Sequence, residues 1–319
     1  MTRVVAGSTY RDAVLAALGE LVDSLDEVFA SLVRPLLANP GKLLRSELVW
    51  LTASAGDPRR PALVRFGALV ELLHIATLVH DDVIDRAATR RGVPAAHRQG
   101  GQELAVLAGT ACFAAVGLEA ADLGAAIATA VSRTVGELSY GELLDIERGF
   151  DPGVPTEDYL ELTRCKTGAL FQLSCVLGAT ASGLPGLVTA GLAEFGARYG
   201  IAFQVLDDCL DLHANGTGKP AGTDHLLGLF GLPTLCALRG REPAATQLRD
   251  LLLSPDLAVT DLPRISDLIA ESGGLVAAHE VARTELAAAL TVLDNLRDEL
   301  PAPALNALTE FANRTAGAP

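Results

Sequence analysis

The sequence predicts an all-α protein, and three observations carry that expectation. The apolar half of the chain is built mainly from Ala, Leu and Val, with only 4% aromatic residues, and Ala and Leu are strong helix formers. No convincing alternating run of strand residues is present. Apolar residues recur at helical spacing between clear Gly and Pro breaks.

The elements follow in order from those breaks. Helices are expected near 9–37, ended by Asn39-Pro40-Gly41, near 42–55, ended by Gly56-Asp57-Pro58, and near 62–87, ended before Gly92-Val93-Pro94. Next come 102–118 and 119–148, with Asp151-Pro152-Gly153 closing the second. Then follow 156–181 and 187–213, the latter ended by the stretch Asn215 to Gly222. The remainder reads as 223–239, 243–254, 261–272, 275–299 and 302–314. None of the breaks is long enough for an interdomain linker, so residues 1–319 are expected to form a single helical domain. Thr167 to Ala193 is uncharged but contains Gln172 and the breaker Gly183-Leu184-Pro185-Gly186. It therefore reads as two core helices joined by a turn, and no transmembrane segment is expected.

A formal net charge of −14 argues against nucleic acid as a partner. An anionic substrate would need local cations or metal ions. The five cysteines, Cys112, Cys165, Cys175, Cys209 and Cys236, are odd in number and form no C-x-x-C pair. They fit small buried residues of a reduced, cytoplasmic protein. The N-terminus MTRVVAGSTYRDAV lacks an apolar signal core.

Two acid clusters stand out. LVHDDVID places Asp81, Asp82 and Asp85 at the end of an apolar run, and QVLDDCLD repeats the pattern 126 residues later with Asp207, Asp208 and Asp211. Residues four apart share a helix face. Carboxylates this close repel and need cations. Hard oxygen donors without a thiol or imidazole cluster suit Mg²⁺, which takes one or two carboxylates together with substrate phosphate oxygens. A single such cluster could be a solvated helix end; two copies, each after an apolar helix, make that reading much weaker. A helical bundle could bring the two face to face.

The cations add to the pattern. The chain holds 22 Arg and only three Lys, and each of Lys42, Lys166 and Lys219 sits beside small residues. A lysine is a compact charge on a flexible stem, suited to a phosphate oxygen where a planar fork would not fit. Arg45 follows Lys42 by three residues and shares its face. Arg90 and Arg91 follow the first acid cluster directly, within reach of a diphosphate held there by metal. His80 adjoins the acids, but Mg²⁺ prefers oxygen, so packing is the better reading for it.

These motifs resemble the polyprenyl synthetase family of trans-isoprenyl diphosphate synthases. GKLLR at 41–45, HDDVIDRAATRRGVPAAH at 80–97, GELLD at 141–145, KTGALF at 166–171, FQVLDDCLD at 203–211 and GKPAGTD at 218–224 follow the family's order. The resemblance implies an all-α helical bundle of the isoprenoid synthase type with a central apolar cavity. It implies that Asp81, Asp82, Asp85, Asp207, Asp208 and Asp211 bind about three Mg²⁺ ions around an allylic diphosphate. Arg90, Lys166 and Lys219 would hold that diphosphate. Gly41, Lys42, Arg45, His74 and Arg91 would hold isopentenyl diphosphate, and Phe203 and Gln204 would line the substrate channel. Proton removal would fall to diphosphate or to a group near Lys166 and Thr167. A homodimer is expected from the resemblance and from a mean hydropathy of +0.33.

The resemblance also bears on product length. The growing tail would descend beside the first acid-bearing helix, where Ala76 and Thr77 stand one turn above Asp81 and leave the floor open. Leu73 lies a turn further up, and Phe113 on the neighbouring helix would close a deeper pocket. A helix turn of about 5.4 Å matches one extended isoprene unit, so a product on the order of C30 to C50 is favoured; a geranylgeranyl product is the alternative. Two departures bear on rate: Thr110 stands where the family usually has Asp, and Leu229 and Gly231 where it often has Lys and Thr. They keep a subunit of a heteromeric synthase among the alternatives. A class I terpene cyclase on the same fold would not need all of Lys42, Arg45, His74 and Arg91. A non-enzymatic helical metal binder would explain neither the lysines nor Arg90-Arg91-Gly92.

Overall fold

The computed structural model describes residues 2–56, 62–212 and 222–316. Its helices are α1 (Thr2–Asp23), α2 (Glu27–Ala38), α3 (Leu44–Ala53), α4 (Ala62–Ile84), α5 (Ala96–Gly100), α6 (Gln102–Leu123), α7 (Ala125–Glu147), α8 (Thr156–Thr163), α9 (Ala169–Ala181), α10 (Gly186–Asp211), α11 (Leu232–Leu238), α12 (Pro243–Leu252), α13 (Leu262–Glu271), α14 (Gly274–Asn295) and α15 (Ala302–Ala316). The expectation of an all-α chain holds. The uncharged stretch is two helices, α9 and α10, parted at the predicted breaker.

Several boundaries differ from the sequence reading, and the helix expected over 223–239 is instead a 3-10 stretch, Thr223–Leu227, followed by α11. The helix expected over 9–37 is broken at 24–26, because Asp26 accepts a hydrogen bond from Val28 N–H at 3.0 Å and starts α2. The break expected near 118 falls at Gly124 instead. The helix expected over 156–181 contains one π-helical turn, Arg164–Gly168, a feature that apolar periodicity cannot reveal.

The chain divides into two compact units, one of Met1–Gly136, Leu170–Ala193 and Leu296–Leu308, the other of Glu137–Ala169, Glu194–Asn295 and Thr309–Pro319. In the first unit α4 is the central helix. It packs against α1, α3 and α6, and Leu69, Val70, Leu72, Leu73 and Ala76 are wholly buried. A helix that is apolar all round belongs in a core. Its far end, where the apolar residues stop, carries Asp81, Asp82 and Asp85.

In the second unit one core gathers Val205 and Cys209 of α10 with Tyr159, Leu232, Leu235, Ala278 and Ala282. A second packs α11, α12 and α13 through Leu238, Leu248, Leu252, Ile265 and Leu268. Among the described residues, α4 and α6 are long and apolar enough to cross a membrane. For α4 this composition serves the core; α6 is less buried and keeps an exposed face.

Candidate active site

In the first unit a two-residue hairpin puts the arginines in place. Strands β1 (Thr89–Arg90) and β2 (Val93–Pro94) pair antiparallel around Arg91-Gly92. Both turn residues have positive φ, +52° and +80°, the requirement of a tight type I′ turn. Gly92 accepts it without strain; Arg91 does not. The hairpin returns Arg90 to α4, where its Nε lies 2.8 Å from Asp82 Oδ1. Asp82 is buried, whereas Asp81 and Asp85 are half-buried. Burial opposes charge on Arg90, but the bond to Asp82 and the charges of Asp82, Asp81 and Asp85 overcome it and raise its pKa.

Arg91 points to a different neighbourhood. Its carbonyl accepts from Asn39 Nδ2 at 3.2 Å, and its guanidinium passes 3.7 Å from where a side chain on Gly41 would begin. Arg11 donates to the carbonyls of Gly41 and Lys42 at 3.0 and 3.3 Å, which fixes the start of α3. Lys42 itself is exposed. Arg45, on α3, lies over the Phe171 ring at 4.8 Å.

His74 on α4 sits among these cations. Burial, then the charges of Arg45, Arg91 and Arg90, holds its pKa well below the usual value, so the imidazole is neutral. Burial also lowers the pKa of Arg91, aided by Arg90 and opposed by Glu71. Gly41, Lys42, Arg45, His74, Arg90 and Arg91 thus all lie in the first unit, with Arg45, Arg90 and Arg91 acting on His74. Partly desolvated guanidiniums of this kind suit a multiply charged phosphate.

Glu71 was missed. It is buried, accepts from Ser46 N–H at 2.9 Å at the start of α3, and offsets the charge of Arg91. The signal was present as the one acid inside the apolar run GALVELLHIATLV. His80 is packed, its Nε2 3.0 Å from Val106 O and its ring 5.5 Å from that of Phe113; Gly109 leaves the room it needs.

Helices α4 and α6 run antiparallel, since Arg65 bonds Glu119 and Asp122 while His80 meets Val106. Across this pair the Phe113 ring meets the His80 ring, and side chains on both helices lean toward their own N-termini. Ala76 and Leu73 are fully buried on α4, and Thr77 bonds the His74 carbonyl at 2.8 Å. Thr110 is exposed and bonds its own helix at Val106 O.

In the second unit Asp207 and Asp211 are exposed at the end of α10, and Asp208 turns inward. Its Oδ1 accepts from Gln204 Nε2 at 2.9 Å, and its Oδ2 accepts from Tyr159 OH and from Leu232 N–H at 3.0 Å. Burial pushes its carboxyl up to about 6, against the pull of those three bonds. Thr167 donates to Gln204 Oε1 at 2.9 Å, which extends the chain of bonds to the π-helical turn. Gly231 makes the close approach of Leu232 possible, because a side chain there would begin 2.7 Å from Asp208 Oδ2. The sequence departure at Gly231 therefore has a steric reason. Tyr159 was also missed; nothing in its spacing marked it.

Lys166 lies in the π-helical turn and pairs with Glu142 at 2.8 Å and with Asp145. Gly141 allows this, since a side chain there would begin 2.5 Å from the Lys166 backbone nitrogen. The GELLD motif thus supplies both the clearance and the two carboxylates. Leu229 lines a small pocket with Asp145, Arg148, Asp151 and Tyr159. Phe203 lies 6.2 Å from Tyr199, ring to ring. Lys219 lies outside the described residues.

Among the described residues no three His, Cys, Asp or Glu side chains form a ready-made metal cage. Each cluster instead offers two more accessible carboxylates one turn apart and one that turns inward. That donor set fits Mg²⁺, which completes its shell with phosphate oxygens and water.

The polyprenyl synthetase model matches residues 26–269, across both units. The chain belongs to the polyprenyl synthetase family. It is a prenyltransferase of that family and shares its all-α fold. It is 34% identical over 324 residues to a nonaprenyl diphosphate synthase of Mycobacterium tuberculosis, covering 97% of this chain and 96% of that one. It is 31% identical over 238 residues to an octaprenyl diphosphate synthase of Escherichia coli, covering 74% of each. A polyprenyl synthase of Caulobacter crescentus, solved in complex with calcium and isoprenyl diphosphate, superposes with a TM-score of 0.91 at 28% identity, over 99% of this chain and 96% of that one.

Proposed function

We propose that this polyprenyl synthetase condenses isopentenyl diphosphate with an allylic diphosphate, head to tail, to give an all-trans polyprenyl diphosphate. The observation that carries the reading is the gathering of Arg45, Arg91 and neutral His74 beside the first acid cluster. A diphosphate without a metal of its own needs such a set of fixed cations, and a cyclase that ionises one diphosphate does not need a second site.

In this reading Gly41, Lys42, Arg45, His74 and Arg91 hold isopentenyl diphosphate. Neutral His74 can donate to a phosphate oxygen without adding charge. Asp81, Asp85, Asp207 and Asp211 are the carboxylates that take Mg²⁺; Asp82 and Asp208 position them, the first through Arg90 and the second through Tyr159, Gln204 and Leu232. Magnesium, about three ions by family likeness, would neutralise charge on the departing allylic diphosphate. Arg90, Lys166 and Lys219 hold that group, Thr167 and Gln204 keep the π-helical turn in register, and Phe203 and Gln204 line the channel. Apolar side chains exclude water from the allylic cation.

Product length follows α4. No aromatic side chain stands at Ala76 or Thr77, and one turn is about 5.4 Å, close to one isoprene unit, so a product on the order of C30 to C50 is the favoured outcome. The near full-length match to a nonaprenyl diphosphate synthase supports that range.

The whole chain acts as one polyprenyl synthetase domain in a cytoplasmic homodimer. Support for the dimer comes from α6, where Leu107 and Leu118, eleven residues apart on one face, are 50% and 74% exposed. The deciding experiment incubates purified protein with Mg²⁺, isopentenyl diphosphate and an allylic primer, then sizes the products. All-trans chains of six to ten isoprene units are expected; no elongation with any primer would overturn the reading.

A further inference from the structure

We infer that His225 is a positioning residue for the second acid cluster, an imidazole clamp that ties Gly222, bonded to Asp211, to the start of α11 that holds Asp208. This rests on the reading of Asp207 and Asp211 as magnesium-binding carboxylates and of Asp208 as the group that positions them.

The ring is 4% exposed and bonded at both nitrogens: Nδ1 lies 2.8 Å from Gly222 O and Nε2 2.7 Å from Thr234 Oγ1. A carbonyl only accepts, so Nδ1 carries the proton, and on a neutral ring Nε2 then accepts from the Thr234 hydroxyl. That pattern requires neutral imidazole. Burial, the largest influence on the ring, lowers its pKa and so favours that form.

The two partners lead to the acid cluster from opposite sides. Gly222 N–H donates to Asp211 O at 2.9 Å, at the end of α10. Thr234 lies in the first turn of α11, and Leu232 N–H in that same turn donates to Asp208 Oδ2 at 3.0 Å. A closed circuit therefore runs from Asp211 through Gly222, His225, Thr234 and Leu232 to Asp208, and α10 completes it. The clamp sets where α11 begins, and hence how the Asp208 carboxylate is held between Leu232 N–H and Tyr159.

The plain alternative is that His225 only fills space beside Phe230, whose ring is 6.2 Å away. A leucine would fill most of that space and make neither bond. Groups that orient metal-binding carboxylates typically change metal affinity by about 10- to 100-fold when lost. A space-filling role would lower stability and leave metal affinity alone.

The test uses the full chain. Mn²⁺ binding in the presence of inorganic diphosphate is followed by electron paramagnetic resonance, and Mg²⁺ half-saturation is measured in isopentenyl transfer, for wild type, His225→Leu, Thr234→Val, Thr234→Ser and the double variant His225→Leu/Thr234→Val. The expectation is about tenfold weaker Mn²⁺ binding and an equal rise in Mg²⁺ half-saturation for His225→Leu and Thr234→Val. KM for isopentenyl diphosphate should not change, Thr234→Ser should stay near wild type, and the double variant should be no worse than the worse single one. Thr234→Val keeps the shape of the site, so it decides the matter if His225→Leu fails to fold. Wild-type metal affinity in Thr234→Val, or additive losses in the double variant, would overturn the clamp while leaving the functional reading intact. A wild-type protein without Mg²⁺-dependent transfer would overturn both.

Discussion

Arg90 grips one oxygen of Asp82, with Nε at 2.8 Å and Nη2 at 2.7 Å from Oδ1, and Asp82 is almost wholly buried. Removing one member of a buried pair strands the other charge and costs about 3–5 kcal/mol. Arg90→Ala should lose about 3 kcal/mol in urea unfolding, because its own side chain is partly solvated. Asp82→Asn keeps an acceptor for Arg90 and should cost less than half of that. A loss below about 1 kcal/mol for Arg90→Ala would mean that solvent screens the pair.

The more accessible acids should behave differently from the buried ones. Asp81→Ala and Asp207→Ala should each reduce turnover by roughly two orders of magnitude or more at saturating Mg²⁺, with little change in stability, because they act where leaving-group charge develops. Steady-state kinetics beside thermal unfolding checks both halves. Near-normal turnover in either variant would sink the metal assignment.

The neutral imidazole of His74 predicts a pH dependence. Its folded pKa is held below the ordinary 6.5, first by burial and then by Arg45, Arg91 and Arg90. The unfolded chain therefore binds a proton first as pH falls, and stability present above about 6.5 is lost below it. Asp208, raised to about 6, acts in the opposite sense between its ordinary value and 6. The difference between wild type and His74→Gln isolates the histidine. That difference should shrink as pH falls from 7.5 to 5.5 in denaturant titrations; a constant difference would show that His74 does not titrate between the two states.

Ala76 is fully buried on α4, so Ala76→Phe must displace its neighbours or fill the tail's path. It should shorten the product by several isoprene units and cost about 1–3 kcal/mol from overpacking. Phe113 stands beside α4 with its ring 5.5 Å from that of His80, and Phe113→Ala should lengthen the product if this ring closes the deeper pocket. Chromatographic sizing of both product mixtures is the check, and an unchanged length for Ala76→Phe would remove α4 from the chain-length argument.

The apolar stripe on α6 makes the dimer testable. Charges at its two most exposed leucines, Leu107→Glu with Leu118→Glu, should halve the mass seen by light scattering at micromolar protein. A wild-type protein that is already monomeric would end the proposal, and so would a doubly substituted protein that stays dimeric.

By itself the sequence determined the helices, the two acid clusters, the residues of the cation set and the family, because each is written in local spacing or in residue type. Periodicity marks a face, and a D-D-x-x-D run marks a helix end, without reference to anything distant. Tertiary structure alone decided which aspartate of each cluster turns inward. Asp82 and Asp208 carry the same signature as their neighbours, and only the hairpin that returns Arg90 and the helix end at Leu232 distinguish them. The family resemblance implied that Arg45, His74 and Arg91 act together, but how Arg91 is delivered was not legible, since it depends on a turn at Arg91-Gly92 whose first residue is a poor candidate for positive φ. The same holds for Glu71, Tyr159 and His225. Each is buried by residues far away in sequence, and a buried polar group takes its role from the partners that satisfy it.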